Sequence, residues 1–454
     1  MNLPNYFLAD LPPEATLSAS MLGEACQTLR QNRERYLANR STESLINLLS
    51  DVAAAWLDPG YPLRKRTLEQ GPDATGFSRE VLAKGLDAFF AQLTPNNFRL
   101  LLEQDFGHRR RLDEMTRSGP EDDSNRAAMV SAPELLVHFT AGNIPNPSLQ
   151  SIVFGVLLRS AQFVKCASGA SLVPRLFAHS LYEADPKIGA CLEIAEWRGG
   201  DVELEKSVLA NADCITATGS DESLDALRKL APTQTRFLGY GHRLSFAYVA
   251  GGVLTGLKAE RLAAQLATDV VAWDQQGCLS PHVCYIERGG QISGEQFSEM
   301  LAGQLERREQ TEPRGALPVE KSATIASRRS FYELRASHSP DTRLWHSQHS
   351  TAWTVVFEAA PQFQISCLHR FIYVKEVSNL TEALQSADAV RGKVSTVGLA
   401  ASGDQSQTLA TELARWGVTR VCPLGQMQNP PLAWRHDGRP ALAELVRWAD
   451  WEME

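Results

Sequence analysis

The sequence predicts an α/β protein with two doubly wound lobes of the Rossmann type, preceded by a helical N-terminal region. At 454 residues the chain is too long for one ordinary core. Apolar residues recur at three- and four-residue spacing over 45–56 and 80–93, which indicates helices in the first 125 or so residues. From Pro133 onward, strand-like and helix-like segments alternate. Such alternation is typical of parallel βαβ units.

The alternation gives a definite order of elements. In its first part, strands are predicted at 135–139, 162–166, 212–216 and 235–238, and helices at 147–158, 172–182 and 222–230. In its second part, helices are predicted at 258–273, 294–307, 380–388 and 406–416, and strands at 283–287, 352–357, 371–375 and 394–399. The charged, turn-rich segments 117–126 and 308–322 are expected to be loops.

Composition excludes several classes of function. A formal charge of −8 gives no basic surface for nucleic acid, and no apolar run approaches the length of a membrane span. The eight cysteines are scattered without a Cys-x-x-Cys pair, and the first residues lack the features of a signal peptide, so we expect a reduced, cytoplasmic protein. His346 and His349 have metal-like spacing, but no third ligand stands near them in the sequence, so no metal site is expected.

The most informative segment is 273–282, Trp-Asp-Gln-Gln-Gly-Cys-Leu-Ser-Pro-His, directly before a predicted strand. Cys278 there could act as a nucleophile that forms a thioester, with Gly277 leaving space for a substrate to approach. The alternative is a buried structural cysteine, because a cysteine outside disulfides also behaves as a small apolar residue.

Two further segments could bind a phosphorylated ligand at the mouth of the first lobe. Lys165 closes a predicted strand and could reach a phosphate or a ribose hydroxyl, although it could equally be a solvated strand-end lysine. Thr218, Gly219 and Ser220 run from a strand into a helix, where backbone N–H groups could meet a pyrophosphate. The segment is not a Gly-x-Gly-x-x-Gly fingerprint, and an ordinary helix cap explains it as well.

Two turns carry side chains suited to acyl chemistry. Asn143 and Asn146 lie in a proline-stiffened turn after the first strand, where an amide N–H could stabilise an oxyanion or serve the turn alone. His242, within Gly-Tyr-Gly-His-Arg at 239–243, could exchange protons near neutral pH or be bonded within its turn.

Taken in order, these segments resemble the aldehyde dehydrogenase superfamily over about 133–290. The whole chain is similar to one branch, the LuxC-type fatty acyl-CoA reductases of bacterial luminescence operons. The segments that carry this closer resemblance are 239–246, 273–282 and 421–431, the last followed by Trp434 and His436-Asp437-Gly438.

The resemblance implies a role for each candidate. Cys278 would accept the acyl group, and Asn143, with Asn146 as the competing candidate, would bind the oxyanion. Lys165 would bind the adenosine ribose or its phosphate, and Thr218, Gly219 and Ser220 would lie along the pyrophosphate of the cofactor. The implied organisation is a helical region plus an NADP-binding domain at 1–243, a catalytic domain at 244–420, and a segment at 421–454 that returns to the cofactor domain. The cofactor cleft is expected between the two lobes.

The departures from the superfamily pattern predict the reaction. The turn at 239–242 replaces the usual glutamate base, and no Asp or Glu occurs from Arg228 to Ala259. A thioester on Cys278 would therefore outlive hydrolysis and accept a thiol or a hydride, with His242 assisting the departing thiol. Ser168 stands where many NAD-preferring relatives have a glutamate, which leaves space for a 2′-phosphate and favours NADPH.

The sequence thus predicts an NADPH-dependent reductase that converts an acyl-CoA or acyl-protein thioester to an aldehyde. The alternatives are a CoA-independent aldehyde dehydrogenase and a non-catalytic acyl-transfer scaffold. The resemblance also implies an acyl-protein synthetase as a partner and a homo-oligomer. The segment 366–372 shows no recognisable Glu-x-Phe contact to a nicotinamide ribose, so none of its residues is assigned a role.

Overall fold

The computed structural model describes residues 3–12 and 14–454, so the first two residues of the predicted N-terminal region and Pro13 lie outside the described part. The chain divides into two compact units. The first unit comprises Met1–Thr75, Leu86–Gly241 and Pro431–Glu454, and the second comprises Gly76–Gly85 and His242–Pro430.

The N-terminal region is helical, as predicted. Its longer helices are α1 (Ala19–Tyr36), α2 (Thr42–Leu57), α3 (Pro62–Thr75), α4 (Arg79–Phe90) and α5 (Pro95–Phe106). Hydroxyl side chains of Ser18, Ser41 and Thr94 accept backbone N–H bonds at the starts of α1, α2 and α5. These caps satisfy amides that have no partner within the helix, and they fix where each helix begins.

The first unit contains a five-stranded parallel sheet. Its strands are β2 (Leu135–Phe139), β3 (Ala161–Cys166), β4 (Leu192–Glu196), β5 (Cys214–Thr218) and β6 (Arg236–Tyr240), in the order β4-β3-β2-β5-β6. The helices that connect them are α7 (Asn146–Leu157), α8 (Leu172–Ala184), α9 (Pro186–Gly189), α10 (Val202–Leu209) and α11 (Asp221–Leu230). The predicted alternation is confirmed, although β4 and α10 were not predicted.

A two-stranded antiparallel ribbon completes this unit. It consists of β1 (Arg126–Ser131) and β14 (Arg447–Glu452), and every residue of β14 is exposed. The predicted loop at 117–126 is partly wrong, because it contains the short helix α6 (Pro120–Asp123) and ends on the first residue of β1.

Helix α1 gives the N-terminal region a structural role. Its buried residues Leu22, Cys26 and Leu29 pack with α10 and with the strands β2 and β3 in one apolar cluster. Side chains of a strand alternate between the two faces of its sheet, so each face needs its own cover. Helix α1 helps to cover one face of this sheet, in addition to the helices of the βαβ connections.

The second unit contains a seven-stranded mixed sheet. Its strands are β7 (Leu244–Val249), β8 (Pro281–Glu287), β9 (Thr342–His346), β10 (Thr354–Glu358), β11 (Phe371–Val377), β12 (Val394–Ala400) and β13 (Arg420–Pro423), in the order β13-β12-β7-β8-β11-β10-β9. Its helices are α12 (Gly256–Val271), α13 (Gly294–Thr311), α14 (Val319–His338), α15 (Leu380–Ser386) and α16 (Gly403–Trp416). Only the edge strand β9 pairs antiparallel in this sheet, among the described residues.

Both faces of this sheet are covered, which makes the unit doubly wound. Ala247 and Val249 of β7 pack with α12 and α13 on one face. Phe246 and Tyr248 of the same strand pack with α14, α15 and α16 on the other. The predicted loop at 308–322 is partly wrong, since 312–318 connects two helices but α13 runs to Thr311 and α14 begins at Val319. Among the described residues, no helix combines the length and apolar character needed to cross a bilayer.

A buried histidine makes the first unit sensitive to acid. His138 of β2 is 1% exposed, its Nδ1 lies 2.6 Å from Thr216 Oγ1, and burial lowers its pKa from 6.5 to about 4. Since the unfolded chain takes up the proton first, the stability contribution is complete above pH 6.5 and is lost as the pH falls through about 4.

We therefore expect His138→Asn to lose less stability than the wild type on acidification. Between pH 7 and pH 4, the free energy of unfolding of the wild type should fall by up to about 3 kcal/mol more than that of the variant. Urea titrations at each pH measure this quantity. The exposed His338→Asn provides the control and should follow the wild type. Equal pH dependence of His138→Asn and wild type would contradict the prediction.

Candidate active site

Cys278 differs from most of the cysteines in its exposure. All eight are described, none forms a disulfide, and six of them are buried, whereas Cys278 and Cys367 are partly exposed. Burial raises the pKa of the Cys26, Cys166 and Cys214 thiols to about 12. Burial also raises the pKa of Cys367. A thiol must ionise to act as a nucleophile, and Cys278 lacks the full burial of the six buried cysteines.

The backbone before Cys278 adopts a rare conformation. Trp273, Asp274 and Gln275 all have positive φ, at 53°, 47° and 63°. Non-glycine residues in this left-handed region each cost on the order of 1–3 kcal/mol, and such strain persists only where the surroundings enforce it. The turn therefore ends α12 abruptly and redirects the chain into the loop that carries the thiol.

Side-chain and backbone hydrogen bonds hold this loop closed. Gln275 Nε2 donates to the carbonyl oxygen of Pro281 at 2.8 Å and to that of Phe371 at 2.9 Å, so one side chain bridges both ends of the segment 276–280. The hydroxyl of buried Ser245 donates to the Cys278 carbonyl oxygen at 2.8 Å. The thiol thus projects from a loop whose main chain is fixed on both sides.

Gly277 has a close neighbour that sequence reasoning did not predict. A Cβ atom added to it would lie 2.7 Å from Gln428 Oε1, and Gln428 Nε2 donates to Ser280 Oγ. The missing side chain therefore leaves space for Gln428 of the same unit. The interpretation that it leaves space for a substrate is not supported.

Sequence reasoning missed the ion pair that holds the left-handed turn. Arg370, 0% exposed, donates from Nε to Asp274 Oδ1 at 2.9 Å, and its Nη2 lies 2.7 Å from the same oxygen. Asp274 Oδ2 accepts the Gly315 N–H at 3.1 Å. Burial raises the pKa of Asp274, and the Arg370 guanidinium opposes that rise. Separated by 96 positions in the sequence, the two partners gave no local signal.

His242 lies at the same sheet edge as Cys278. It is exposed and precedes β7, whose Ser245 bonds the Cys278 carbonyl. His242 also lies close enough to His282 of β8 for its charge to lower the pKa of that residue, after the larger effect of burial. Both candidates therefore lie at the amino-terminal edge of β7 and β8.

The other candidates lie at the carboxyl edge of the sheet in the first unit. The strand order reverses at β2, which stands between β3 and β5, and ligands of doubly wound sheets bind at such switch points. Asn143 is exposed on the turn between β2 and α7. Thr218 ends β5, Gly219 follows it, and the Ser220 side chain caps α11 by accepting the Ser223 N–H.

Lys165 lies on the neighbouring strand of this edge. It is 6% exposed, its ammonium lies 5.5 Å from the centroid of the Trp197 ring, and burial lowers its pKa against the opposing effect of Glu205. Ser168, three residues on, is exposed. Glu196, which sequence reasoning missed, ends β4 and accepts the N–H groups of Gly169 at 2.6 Å and of Ser171 at 3.2 Å.

The described residues contain no group of three or more His, Cys, Asp or Glu side chains arranged to hold a metal ion.

Comparison with known proteins gives a consistent result. The family model described as acyl-CoA reductase (LuxC) matches residues 37–448. The long-chain acyl-protein thioester reductase of Aliivibrio fischeri is 25% identical over 91% of this chain and 83% of its own length. Long-chain acyl-protein thioester reductase 2 of Photobacterium leiognathi is 23% identical over 94% of this chain and 85% of its own length.

Solved structures share the fold. A putative aldehyde dehydrogenase from Burkholderia cenocepacia has a TM-score of 0.70 and 16% identity over 96% of this chain and 92% of its own. The putative aldehyde dehydrogenase PutA from Anabaena variabilis has a TM-score of 0.68 and 15% identity over 96% of this chain and 93% of its own. The fold is thus aldehyde dehydrogenase-like, as the sequence predicted, and the protein is an enzyme that belongs to the acyl-CoA reductase (LuxC) family.

Proposed function

We propose that this enzyme reduces a long-chain acyl thioester to the aldehyde through an acyl group carried on Cys278. The observation that carries the proposal is a partly exposed thiol on a strained, multiply bonded loop, in a chain of the acyl-CoA reductase family. The aldehyde dehydrogenase-like fold is consistent with this chemistry.

In the proposed reaction the Cys278 thiolate attacks the carbonyl carbon of the substrate thioester. A carbon–sulfur bond forms to Cys278, and the bond to the donor thiol breaks as the oxyanion collapses. Asn143 is the proposed donor to the oxyanion, with Asn146 as the competing candidate, and His242 is the proposed source of the proton for the departing thiolate. Collapse of the reduced adduct then releases the aldehyde and returns the thiol.

The two carboxylates that precede Cys278 most closely in the sequence are engaged by other partners, which supports reduction over hydrolysis. Asp269 accepts the N–H groups of Gly425 and Met427, and Asp274 accepts from Arg370 and Gly315. Neither is therefore available as a base for activating water on a Cys278 thioester. This observation disfavours the aldehyde dehydrogenase that makes a free acid.

The acyl donor can be a CoA thioester or an acylated protein. The family is named for acyl-CoA. The similar proteins from Aliivibrio fischeri and Photobacterium leiognathi are named for acyl-protein thioesters. We propose that the enzyme accepts the acyl group from either kind of thioester, that a synthetase partner supplies the acyl-protein, and that the enzyme is a homo-oligomer. A cytoplasmic location stays a prediction from the scattered cysteines.

The family and the fold imply a nicotinamide cofactor, and the residues at the switch point of the first sheet fit one. The N-termini of α7 and α11, together with Lys165, present positive charge to the carboxyl edge where a dinucleotide would lie. When bound, the reduced nicotinamide supplies the hydride that the acyl carbon accepts. The first unit would therefore be the cofactor domain and the second the cysteine domain.

NADPH is the proposed form of the cofactor. Lys165 would pair with a 2′-phosphate, and Ser168 leaves the space beside it open. Glu205 and Glu196, whose negative charges both act on Lys165, oppose a phosphate at this position. The balance between the lysine and these carboxylates should set how strongly NADPH is preferred.

The first test concerns Cys278. We expect Cys278→Ala to abolish both the covalent labelling of the protein by radioactive acyl-CoA and the acyl-CoA-dependent oxidation of NADPH, because the acceptor atom is gone. Cys367→Ala removes the other partly exposed thiol and should leave both signals near wild-type levels. Near wild-type reduction by Cys278→Ala would refute the proposal, and steady acid production without CoA would favour the aldehyde dehydrogenase.

The second test concerns the cofactor. Lys165→Met should weaken binding of 2′,5′-ADP by about 10- to 100-fold, since a charge-assisted hydrogen bond contributes about 1.5–3 kcal/mol, and it should affect 5′-AMP much less. Binding can be measured by isothermal titration calorimetry without any turnover. The exposed Lys187→Met is the control. If Lys165→Met weakened both ligands equally, contact with the 2′-phosphate would be excluded.

A further inference from the structure

We infer that Asp274 and Arg370 are positioning residues that hold the Cys278 loop in the shape needed for acyl transfer. The inference rests on the proposed role of Cys278 and adds a specific requirement to it. Neither side chain has to touch a substrate, since both act through the backbone of the turn before the thiol.

Two left-handed segments face each other in the second unit. One is 273–275, and the other is Leu368, His369 and Arg370, with φ of 64°, 57° and 66°. Six non-glycine residues in this region, in two runs of three, are sustained only where bonds between the runs over-determine them. The described bonds between these runs meet that requirement.

The first link is ionic and fully buried. Arg370 and Asp274 have side-chain exposures of 0% and 3% and meet through two nitrogens of the guanidinium. Arg370 Nη1 also donates to Glu309 Oε2 at 2.8 Å, so two carboxylates surround one arginine. A buried charge stripped of its partner is strongly unfavourable, which makes each member depend on the other.

The second link continues directly from the first. Gln275 follows Asp274 and donates to the carbonyl of Phe371, which follows Arg370. The same Gln275 amide donates to Pro281 on the far side of Cys278. The bonds therefore form a continuous path from the ion pair to the loop that carries the thiol.

Trp273 anchors the other end of the turn. Its ring lies so close to Gly85 that a Cβ there would approach Trp273 Cζ2 to 2.1 Å, and it packs at 67° against Phe77 with centroids 5.2 Å apart. Trp273 is packed at one end of the turn, Asp274 is paired in the middle, and Gln275 is hydrogen-bonded at the other end. This arrangement of the turn satisfies all three residues together.

The test compares two buried ion pairs of the same unit. Arg370→Met and Asp274→Asn break the pair beside Cys278, and Arg370→Lys keeps the charge without the planar fork. Lys375→Met breaks the control pair, in which Lys375 Nζ donates to Glu358 Oε2 at 3.0 Å with both side chains at most 2% exposed. All four variants are compared with wild type for melting temperature, kcat, KM, and alkylation of the Cys278 peptide by iodoacetamide across pH.

We expect all the substitutions to lower the melting temperature. Arg370→Met and Asp274→Asn should in addition lower kcat about tenfold or more with little change in KM, since a displaced nucleophile loses the aligned geometry of attack. Both should shift the pH midpoint of Cys278 alkylation by about half a unit or more. Arg370→Lys should recover part of kcat, and Lys375→Met should keep kcat and the alkylation midpoint of wild type.

The inference is overturned if Arg370→Met and Asp274→Asn match Lys375→Met in kcat and in the alkylation profile. If Arg370→Met does not fold, the near-isosteric Asp274→Asn decides alone. Failure of the proposed function is distinguishable, because then Cys278→Ala would keep its activity while the alkylation profiles of these variants would still report on the turn.

Discussion

In the second unit, the turn before Cys278 depends on a buried ion pair that connects two stretches of left-handed backbone. Conformational strain of this kind needs a compensating interaction, and Arg370 supplies it to Asp274 in an interior that excludes water. Arg370 directly precedes β11, which pairs with β8. One residue therefore links the sheet to the cysteine loop. Rigidity of the loop is thus a consequence of how the core of the unit is assembled.

The two sheets present their candidate residues at opposite edges. In the first unit the candidates follow the carboxyl ends of β2, β3 and β5, where the reversal of strand order opens a crevice. In the second unit Cys278 precedes β8 and therefore lies at an amino edge. The general rule for doubly wound sheets holds for the proposed cofactor residues and does not extend to the proposed nucleophile. That position is set by the left-handed turn after α12.

The sequence predicted what local pattern determines. The strand Leu135–Phe139 was predicted to the residue, because an isolated apolar run with turn signals on both sides has few other readings. Helix α14 was not predicted at all: its first residues fall in a segment interpreted as a loop, and packing of Ile325 and Tyr332 in the core, which no local pattern shows, secures it. The residue types at the cysteine segment were sufficient to identify a nucleophile candidate.

Long-range partners were beyond the reach of the sequence. The pairing of Asp274 with Arg370 spans 96 residues, and that of Gln428 with Ser280 spans 148. Gly277 is an example, since this glycine beside the candidate nucleophile was interpreted through the substrate alone, and its close contact with the distant Gln428 was not foreseen. Glu196 was missed for the same reason, because β4 was not predicted and nothing local placed its carboxylate near Lys165.

Hydrolysis of a thioester on Cys278 would require a base that activates water. The absence of Asp and Glu from 228 to 259 shows only that the usual glutamate is missing. Asp269 and Asp274 lie closer to Cys278 in the sequence, so each has to be considered as a possible base. Both have their oxygens committed to backbone amides or to Arg370. The bonds between Asp274 and Arg370 that hold the turn before Cys278 thus also occupy one of these carboxylates. In the proposed reaction, this arrangement both holds the thiol in place and favours a thioester that persists until it is reduced.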